Sequence, residues 1–309
     1  MFAIGGSSWN GYCPGCKMET TTNPRYLRAI VLTALAMLAF AANSLLCRLA
    51  LGKESIDPSS FASVRLLAGA VFLVLIARFT SNRSVLTSGD WISALMLFVY
   101  VAFFSFAYLT LSAGAGALIL FGTVQITMFS AGLRAGERFR PVAWIGFTCA
   151  IAGLVLLLAP GSAAPPLRGA IMMSTAGVAW GIYSLRGRRS LDPLSATAGN
   201  FIRAVPFALV LSLATATSAH ADRIGIALAF MSGAVTSGIG YVIWYAALSK
   251  LSSLRAATVQ LSVPPIAAFG GVIFLSEAVS LRLLAASTAI LGGIALVLLA
   301  KSRILITQR

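Results

Sequence analysis

The sequence predicts an all-α integral membrane protein with ten transmembrane helices arranged as two inverted five-helix repeats. Apolar residues make up 59% of the 309-residue chain and charged residues only 10%, which excludes a soluble globular domain. The apolar residues form ten stretches of about twenty residues, the length at which a helix rising about 1.5 Å per residue crosses the hydrocarbon core of a bilayer. Parts of the first half recur in the second, which indicates an internal duplication.

The predicted spans follow one another along the chain with short loops between them. They cover residues 30–51, 59–79, 91–111, 114–133, 141–159, 168–186, 194–214, 223–248, 252–276 and 281–300. Sixteen Lys and Arg residues lie on the side that carries both termini, and five lie in the loops of the other side. The positive-inside rule therefore predicts cytoplasmic termini in a bacterial-type inner (plasma) membrane. This topology accounts for the net charge of +15, so we expect the lipid bilayer as a partner and no nucleic acid.

An offset of 140 residues relates the two halves. It aligns 39–48 with 179–188, 111–112 with 251–252, and Glu137 with Glu277. Each half holds five spans, an odd number, so the second half is predicted to lie upside down relative to the first. Inverted repeats recur in transporters, where the substrate site lies near the bilayer midplane between the halves. A duplication in a protein without transport activity is the alternative.

Composition divides the chain into five segments, with the seam in a stretch rich in Pro, Gly and Ala. We expect a cytoplasmic N-terminal extension at 1–28, a first repeat at 29–159, an outer linker at 160–167, a second repeat at 168–302 and a cytoplasmic tail at 303–309. Cys13 and Cys16 in the extension have C-x-x-C spacing, but a single pair without a nearby His is weak evidence for a metal or redox site.

Several motifs resemble the drug/metabolite transporter superfamily, specifically its ten-helix EamA-domain branch. These are the proline, small-residue and Leu-Ser-Glu pattern of 264–277, the Gly-rich 290–294, and Trp180-Gly181. The resemblance covers about residues 28–302 and implies a permease for small metabolites, such as amino acids, that works mainly as an exporter. The first half departs from the pattern, with Phe40-Ala41 in place of Trp-Gly and Gln125 opposite Pro265.

Two arginines lie inside predicted spans, where ionisable side chains are costly and usually functional. Arg203 lies about 13 Å inside its membrane face, counted from the predicted boundary, and Arg65 about 9 Å. A guanidinium binds carboxylate or phosphate oxygens bidentately, so both arginines are candidate substrate-binding residues. The alternatives are that Arg65 snorkels to the interface and that Arg203 caps buried carbonyls or braces the helix bundle.

All eight acidic residues are predicted to fall in loops or at span ends. They are Glu19, Glu54, Asp57, Asp90, Glu137, Asp192, Asp222 and Glu277. An exporter of lipophilic cations that is driven by protons needs a buried carboxylate, so this activity is disfavoured. The sequence offers no buried acid for proton coupling.

Neutral polar and aromatic residues complete the predicted site. Gln125 and Asn43 would bind cargo, and the prolines at 264 and 265 would break a helix and act as a hinge. The predicted pocket wall consists of Trp180, Tyr183, Trp244 and Tyr245. Interhelical hydrogen bonding, packing and an interfacial aromatic belt are the alternatives for these residues.

No catalytic residue, metal ligand set or cofactor motif stands out, and the single histidine, His220, lies in a loop beside Asp222. We therefore expect no enzyme activity. The sequence favours a permease that exports a small organic metabolite, amino-acid-like or otherwise carboxylate-bearing, by alternating access. Efflux of neutral lipophilic compounds is the first alternative, and a polytopic membrane scaffold is the second. A homodimer is left open.

Overall fold

A computed structural model describes residues 24–306 except 81–83, 86, 135, 137–139, 162–163, 188–189, 191 and 249–258. Cys13, Cys16 and Glu137 therefore lie outside the described residues, as does the side chain of Tyr245. Within the described part the chain is helical and forms no strand; a single isolated bridge pairs Ile56 with Ala221.

Most helices begin and end within a few residues of the bounds predicted from hydrophobicity. The ninth predicted span, 252–276, differs: its described helix begins at Val263 after a turn at 261–262, because the prolines at 264 and 265 suit the first turn of a helix, and 252–258 lie outside the described residues. They are α1 (Pro24–Gly52), α2 (Pro58–Thr80), α3 (Trp91–Ala107), α4 (Ala113–Arg134), α5 (Pro141–Leu158), α6 (Leu167–Gly187), α7 (Pro193–Ala214), α8 (Arg223–Met231), α9 (Gly240–Leu248), α10 (Val263–Leu275) and α11 (Leu281–Ile306). A short 3₁₀ turn, Ala216–Ser218, follows α7. Six helical stretches of the described chain are long and apolar enough to cross a membrane, and three shorter helices are also apolar.

A π-helical segment, Ser232–Ile239, joins α8 to α9, so that 223–248 is one continuous helical run. The sequence predicted a regular helix here. Two glycines weaken the α-helical preference of this segment. One of them, Gly233, lies against the backbone carbonyl of Arg65, so closely that any side chain would collide with it. The hydroxyls of Ser232 and Thr236 donate to Asn43 in α1, so tertiary contacts hold the segment in place.

Aspartates start many of the helices. Asp90, Asp192 and Asp222 each accept a hydrogen bond from the backbone N–H three residues later and so cap α3, α7 and α8. Asp57, before α2, accepts from the backbone of Ser59 and Ser60. The six acidic residues that the structure describes all lie outside or at the ends of helices, as the sequence predicted.

The described helices contact one another chiefly across the two halves of the chain. α2 packs on α7, α4 on α10, and α5 on α11. Most of the other extensive contacts come in matched pairs. The contact between α3 and α6 corresponds to the contact of α1 with the π segment and α9. The contact between α4 and α6 corresponds to that between α1 and α10. The contact between α3 and α7 corresponds to the contact of α2 with α8 and the π segment. Exchanging each helical span for the one five spans later therefore preserves these extensive contacts.

Small residues permit the close approach of α4 and α6. A Cβ at Gly177 would lie 2.8 Å from Cβ of Thr123, and one at Gly181 would lie 2.9 Å from Cγ2 of Thr127. The four-residue spacing of the two glycines places both on one face of α6. This packing brings Trp180, between them in sequence, to the middle of the bundle, where it is buried.

Candidate functional site

A small cavity lies among helices from both halves of the chain. It is lined by Phe40, Asn43, Ser44, Arg65, Tyr100, Phe104, Leu120, Phe121, Trp180, Thr236, Ser237 and Tyr241. The space open to the centre of a water molecule is about 20 Å³, enough for roughly one or two waters. A solute of metabolite size therefore requires the helices around the cavity to separate.

Arg65 is the charged residue of this cavity, and its side chain is buried, with 2% of the residue exposed. Its Nε donates to Oγ of Ser237 at 3.3 Å, and its Nη2 donates to the hydroxyl of Tyr100 at 3.1 Å. The guanidinium carbon lies 5.2 Å from the ring centre of Tyr100 and 5.1 Å from that of Phe104, which is cation–π geometry. Nη1 is buried and has no hydrogen-bond partner among the described residues.

None of the described groups that contact Arg65 carries a negative charge. The six described carboxylates lie at helix ends, and the ion pairs of the described chain are Arg48–Glu277 and Arg186–Asp90. Hydrogen bonds from neutral hydroxyls and contacts with aromatic rings stabilise a guanidinium but do not neutralise it. A buried charge without a counter-ion is costly. The cavity is therefore suited chemically to an anionic group that would pair with Nη1.

Asn43 adds a second donor to the cavity. Its Oδ1 accepts from the hydroxyl of Ser232 at 2.7 Å and from that of Thr236 at 3.2 Å, and the residue is 5% exposed. Because these hydroxyls engage the amide oxygen, the amide nitrogen is the group that Asn43 can offer to a ligand. Asn43 and Arg65 thus both present N–H groups, which suits a ligand that accepts hydrogen bonds.

Aromatic rings form the rest of the wall. Trp180 stacks on Tyr241, with centroids 5.6 Å apart and an interplanar angle of 23°, and Tyr100 lies 4.8 Å from Trp180. Phe40 packs edge-on against Tyr241 at 6.2 Å. Phe40 and Trp180 are counterparts in the 140-residue repeat, so α1 and α6 each contribute one aromatic residue to the cavity, one from each half.

The structure separates the two arginines that the sequence grouped together. Arg203 is half-buried and does not line the cavity. Its Nη1 donates to the carbonyl oxygens of Ser88 at 2.6 Å and Gly199 at 3.0 Å. These are the contacts of the bracing alternative: Arg203 ties α7 to the loop that precedes α3.

The other sequence candidates that the structure describes do not line the cavity. Tyr183 packs on Trp180 at 5.5 Å, and Trp244 packs on Phe40 at 5.9 Å. Gln125 is half-buried one helical turn beyond Phe121, and its buried Nε2 has no partner among the described residues. The remaining pair, Pro264 and Pro265, lies in the first turn of α10, directly after a turn at 261–262.

Sequence reasoning missed Tyr100 and Phe104, the two rings that flank Arg65. A signal for them exists, because Tyr100, Phe104 and Tyr108 follow one another at four-residue spacing and so share one face of the third span. What the spacing does not reveal is that this face packs against α2, where Arg65 lies.

A second polar cluster joins both halves at one end of the bundle. Glu277, which follows α10, accepts from Nε of Arg48 at 3.1 Å through Oε1 and from the backbone N–H of Ala113 at 2.8 Å through Oε2. Arg48, near the end of α1, also donates from Nη1 to the carbonyls of Tyr108 at 2.9 Å and Leu109 at 3.1 Å. One ion pair thus fastens α1, the α3–α4 turn and the end of α10 together.

Comparison with known proteins finds relatives that match most of the length of this chain. The chain is 50% identical over 271 residues to the uncharacterized protein PA1977 of Pseudomonas aeruginosa, a match that spans 88% of this chain and 94% of the relative. It is 26% identical to an uncharacterized transporter of Archaeoglobus fulgidus, over 76% of this chain and 84% of that protein. It is 21% identical to the uncharacterized transporter YoaV of Bacillus subtilis, over 79% of this chain and 88% of that protein.

A crystal structure of another protein, 20% identical in sequence, superposes with a TM-score of 0.65 over 88% of this chain and 98% of the other chain, which shows a shared fold. The sequence profile of the EamA-like transporter family matches twice, at residues 27–159 and 167–299, and the two matches begin 140 residues apart. The resemblance stated from the motifs is thereby confirmed. With two family domains in tandem, and with relatives described as transporters, the chain belongs to the EamA-like transporter family and is a multi-pass membrane protein.

Proposed function

We propose that the protein is a permease that moves a small organic anion, a carboxylate-bearing solute, through the central cavity by alternating access. The observation that carries this proposal is the buried guanidinium of Arg65, whose Nη1 lacks a partner and whose surroundings hold no described carboxylate. Guanidinium and carboxylate match in charge and in hydrogen-bonding geometry. This activity requires no catalytic residue, metal or cofactor.

Alternating access is supported by the packing of the helices. The matched contacts between spans five apart are those expected of ten spans in two inverted repeats, each made from one family domain. In such folds, rocking one repeat against the other opens a shared site to either side in turn. The cavity is lined from both halves, as a site shared by two rocking repeats would be.

The proposed direction and orientation rest on the family and on charge. The excess of Lys and Arg on one side favours cytoplasmic termini in an inner membrane, and the family resemblance favours export. On this orientation the Arg48–Glu277 ion pair lies on the outer side, where it would close the exit path.

Within the site, each group has a distinct proposed role. Arg65 binds the anionic group of the solute, Asn43 donates to a second acceptor, and Trp180 stacks against the apolar part together with Tyr241. Gln125, one turn along α4, extends the polar path. Arg203 braces α7, and Tyr183 and Trp244 support the aromatic wall from behind.

The aromatic wall also favours a second candidate, the efflux of neutral lipophilic compounds. Such a substrate would leave Arg65 unpaired during transport, so we place it second. A scaffold without transport activity has no use for an unpaired charge in a cavity.

The test is transport into proteoliposomes that contain the purified protein. The panel would comprise lactate, succinate, phenylacetate, phenyl phosphate, phenylalanine and a neutral aromatic alcohol, with protein-free vesicles as background. We expect saturable flux of at least one anion. Loss of a charge-assisted hydrogen bond costs about 1.5–3 kcal/mol, so Arg65→Gln should lower kcat/KM roughly 10- to 150-fold.

Arg203→Gln is the matched control, because it removes an arginine from a span without touching the cavity. We expect its transport to stay near the wild-type rate once expression and thermal stability have been checked. Flux that survives Arg65→Gln and collapses in Arg203→Gln would contradict the assignment of the site. Transport of the neutral alcohol alone would favour the second candidate.

A further inference from the structure

We infer that the protein works as an obligatory exchanger: it passes between its two access states with an anion on Arg65, and without an anion this passage is blocked. The inference rests on the proposed function and adds the coupling mode, which is the return of a second anion of the same chemical class. Three observations about Arg65 carry it.

Arg65 sits between the two halves, so a rocking motion cannot leave it exposed throughout. Its guanidinium contacts Ser237 in the π segment of the second half and Tyr100 in α3 of the first half. Its backbone carbonyl lies against Gly233, also in the π segment. When the halves close, this side chain is enclosed by both of them, as its 2% exposure shows.

The enclosed guanidinium has one unused hydrogen-bond donor and, among the described residues, no negative charge that balances it. Nη1 has no partner among the described residues, and the groups on Nε and Nη2 are neutral hydroxyls. Water solvates the cation while the cavity is open to either side, and closure removes that water. The penalty for burying an unmatched ion therefore falls on the closed state, which every crossing must visit.

The described acidic residues offer no substitute for the missing counter-ion. The four described aspartates next to helices are engaged as caps, and Glu277 is paired with Arg48 at the end of the bundle. A carrier with a carboxylate in its cavity can return without substrate, because the carboxylate pairs with the cation or becomes protonated. Because no described residue that lines this cavity is an acid, neutralising Arg65 requires a bound anion.

A bound anion removes the penalty in both directions of the cycle. The loaded carrier crosses, releases its anion, and crosses back only after it has bound another. The solute that returns needs the feature that Arg65 recognises, an anionic oxygen group small enough to be enclosed. It need not resemble the outgoing solute in other respects.

The experiment compares exchange with net flux in the same proteoliposomes. Labelled succinate, phenylacetate or phenyl phosphate is added outside, and the vesicles hold either the same unlabelled anion or polystyrene sulfonate, which is too large for the cavity. Potassium on both sides with valinomycin keeps the membrane potential from limiting net flux. We expect exchange to be at least about tenfold faster than net uptake, one factor of ten for each 1.4 kcal/mol of added barrier.

Two variants of Arg65 make the charge itself the tested quantity. Arg65→Lys keeps the cation and should keep a high ratio of exchange to net flux, even with weaker binding. Arg65→Gln removes the cation, and the ratio should fall towards one in whatever flux remains. A ratio that stays high in Arg65→Gln would overturn the inference.

Failure of the inference is distinguishable from failure of the proposed function. Saturable, Arg65-dependent anion transport at equal rates with and without an internal anion overturns obligatory exchange and leaves the permease intact. No saturable flux of any anion of the panel under either loading overturns both.

Discussion

Replacing Glu277 by Gln should loosen the end of the bundle where the two halves are fastened together. The carboxylate holds two donors at once, Nε of Arg48 at 3.1 Å and the backbone N–H of Ala113 at 2.8 Å. A Gln side chain has a single acceptor oxygen and brings an NH₂ group that can only donate. One of the two donors would therefore lose its partner, and the charge that balances Arg48 would vanish.

The size of the effect follows from burial. The side chains of Arg48 and Glu277 are 25% and 14% exposed, so water screens the pair incompletely. Hydrogen bonds between charged groups contribute about 1.5–3 kcal/mol. We expect Glu277→Gln to lower the free energy of unfolding by about 2–3 kcal/mol, and we expect a coupling energy of about 1.5 kcal/mol between Arg48→Met and Glu277→Gln in a double-mutant cycle.

The assay is unfolding in mixed detergent micelles, followed by tryptophan fluorescence. A second cycle on Arg186 and Asp90 is the matched control, because that pair has a similar N–O distance of 2.9 Å but side chains that are 40% and 46% exposed. Exposed pairs contribute about 0.2–1 kcal/mol. If the two cycles give the same coupling, or if the Arg48 and Glu277 variants are additive, burial is not what makes the first pair strong.

Two further predictions concern stability. Gly177→Ala should destabilise the protein by about 1–3 kcal/mol, because a Cβ would lie 2.8 Å from Cβ of Thr123 and overpack the α4–α6 interface. Thermal unfolding measures this loss. Gly292→Ala is the control and should leave stability unchanged, because a Cβ there would meet nothing within 4 Å. Burial would raise the pKa of Asp57, but hydrogen bonds from Ser60, His220 and Ser59 outweigh it and hold the pKa below the usual 3.8. The stability that this carboxylate contributes is therefore present above about pH 4 and lost as the pH falls through the lowered pKa. An acid titration of the unfolding temperature should be flatter for Asp57→Asn than for the wild type, and identical profiles would contradict the assignment.

The helical spans could be predicted from the sequence because span length and polarity are local properties. The capped starts at Asp90 and Asp192 are local too, since each carboxylate binds a backbone N–H within its own first turn. The family assignment likewise rested on short motifs around Trp180 and Glu277, and the family profile confirmed it.

The ranking of the two arginines could not be predicted, because it depends on what packs over them. Counting residues from a span boundary placed Arg203 deeper than Arg65. In the structure the carbonyl of Ser88 meets Arg203, while α3 and the π segment close over Arg65. Depth along a helix says nothing about which loop or helix covers a side chain.

The π segment was unpredictable for a related reason. Its residues would also fit an α-helix, although the glycines among them lower the preference. Its hydroxyls reach Asn43, which is 189 residues away from Ser232 in the chain. A contact at that separation leaves no trace in the local pattern.

Phe40 has an aromatic counterpart, Trp180, in the second half of the chain, but Arg65 has no arginine counterpart there. Counted from Asp57 and Asp192, the residues that precede α2 and α7, the counterpart of Arg65 is Asn200. Two copies of the first half would bring two guanidinium groups to one cavity, where they would repel each other, and two copies of the second half would bring none. A single central cation therefore requires two halves that differ at this position. They must also be joined in one chain, so that each cavity is built from one first half and one second half. The single charge of this cavity therefore depends on the difference between the two halves at this position.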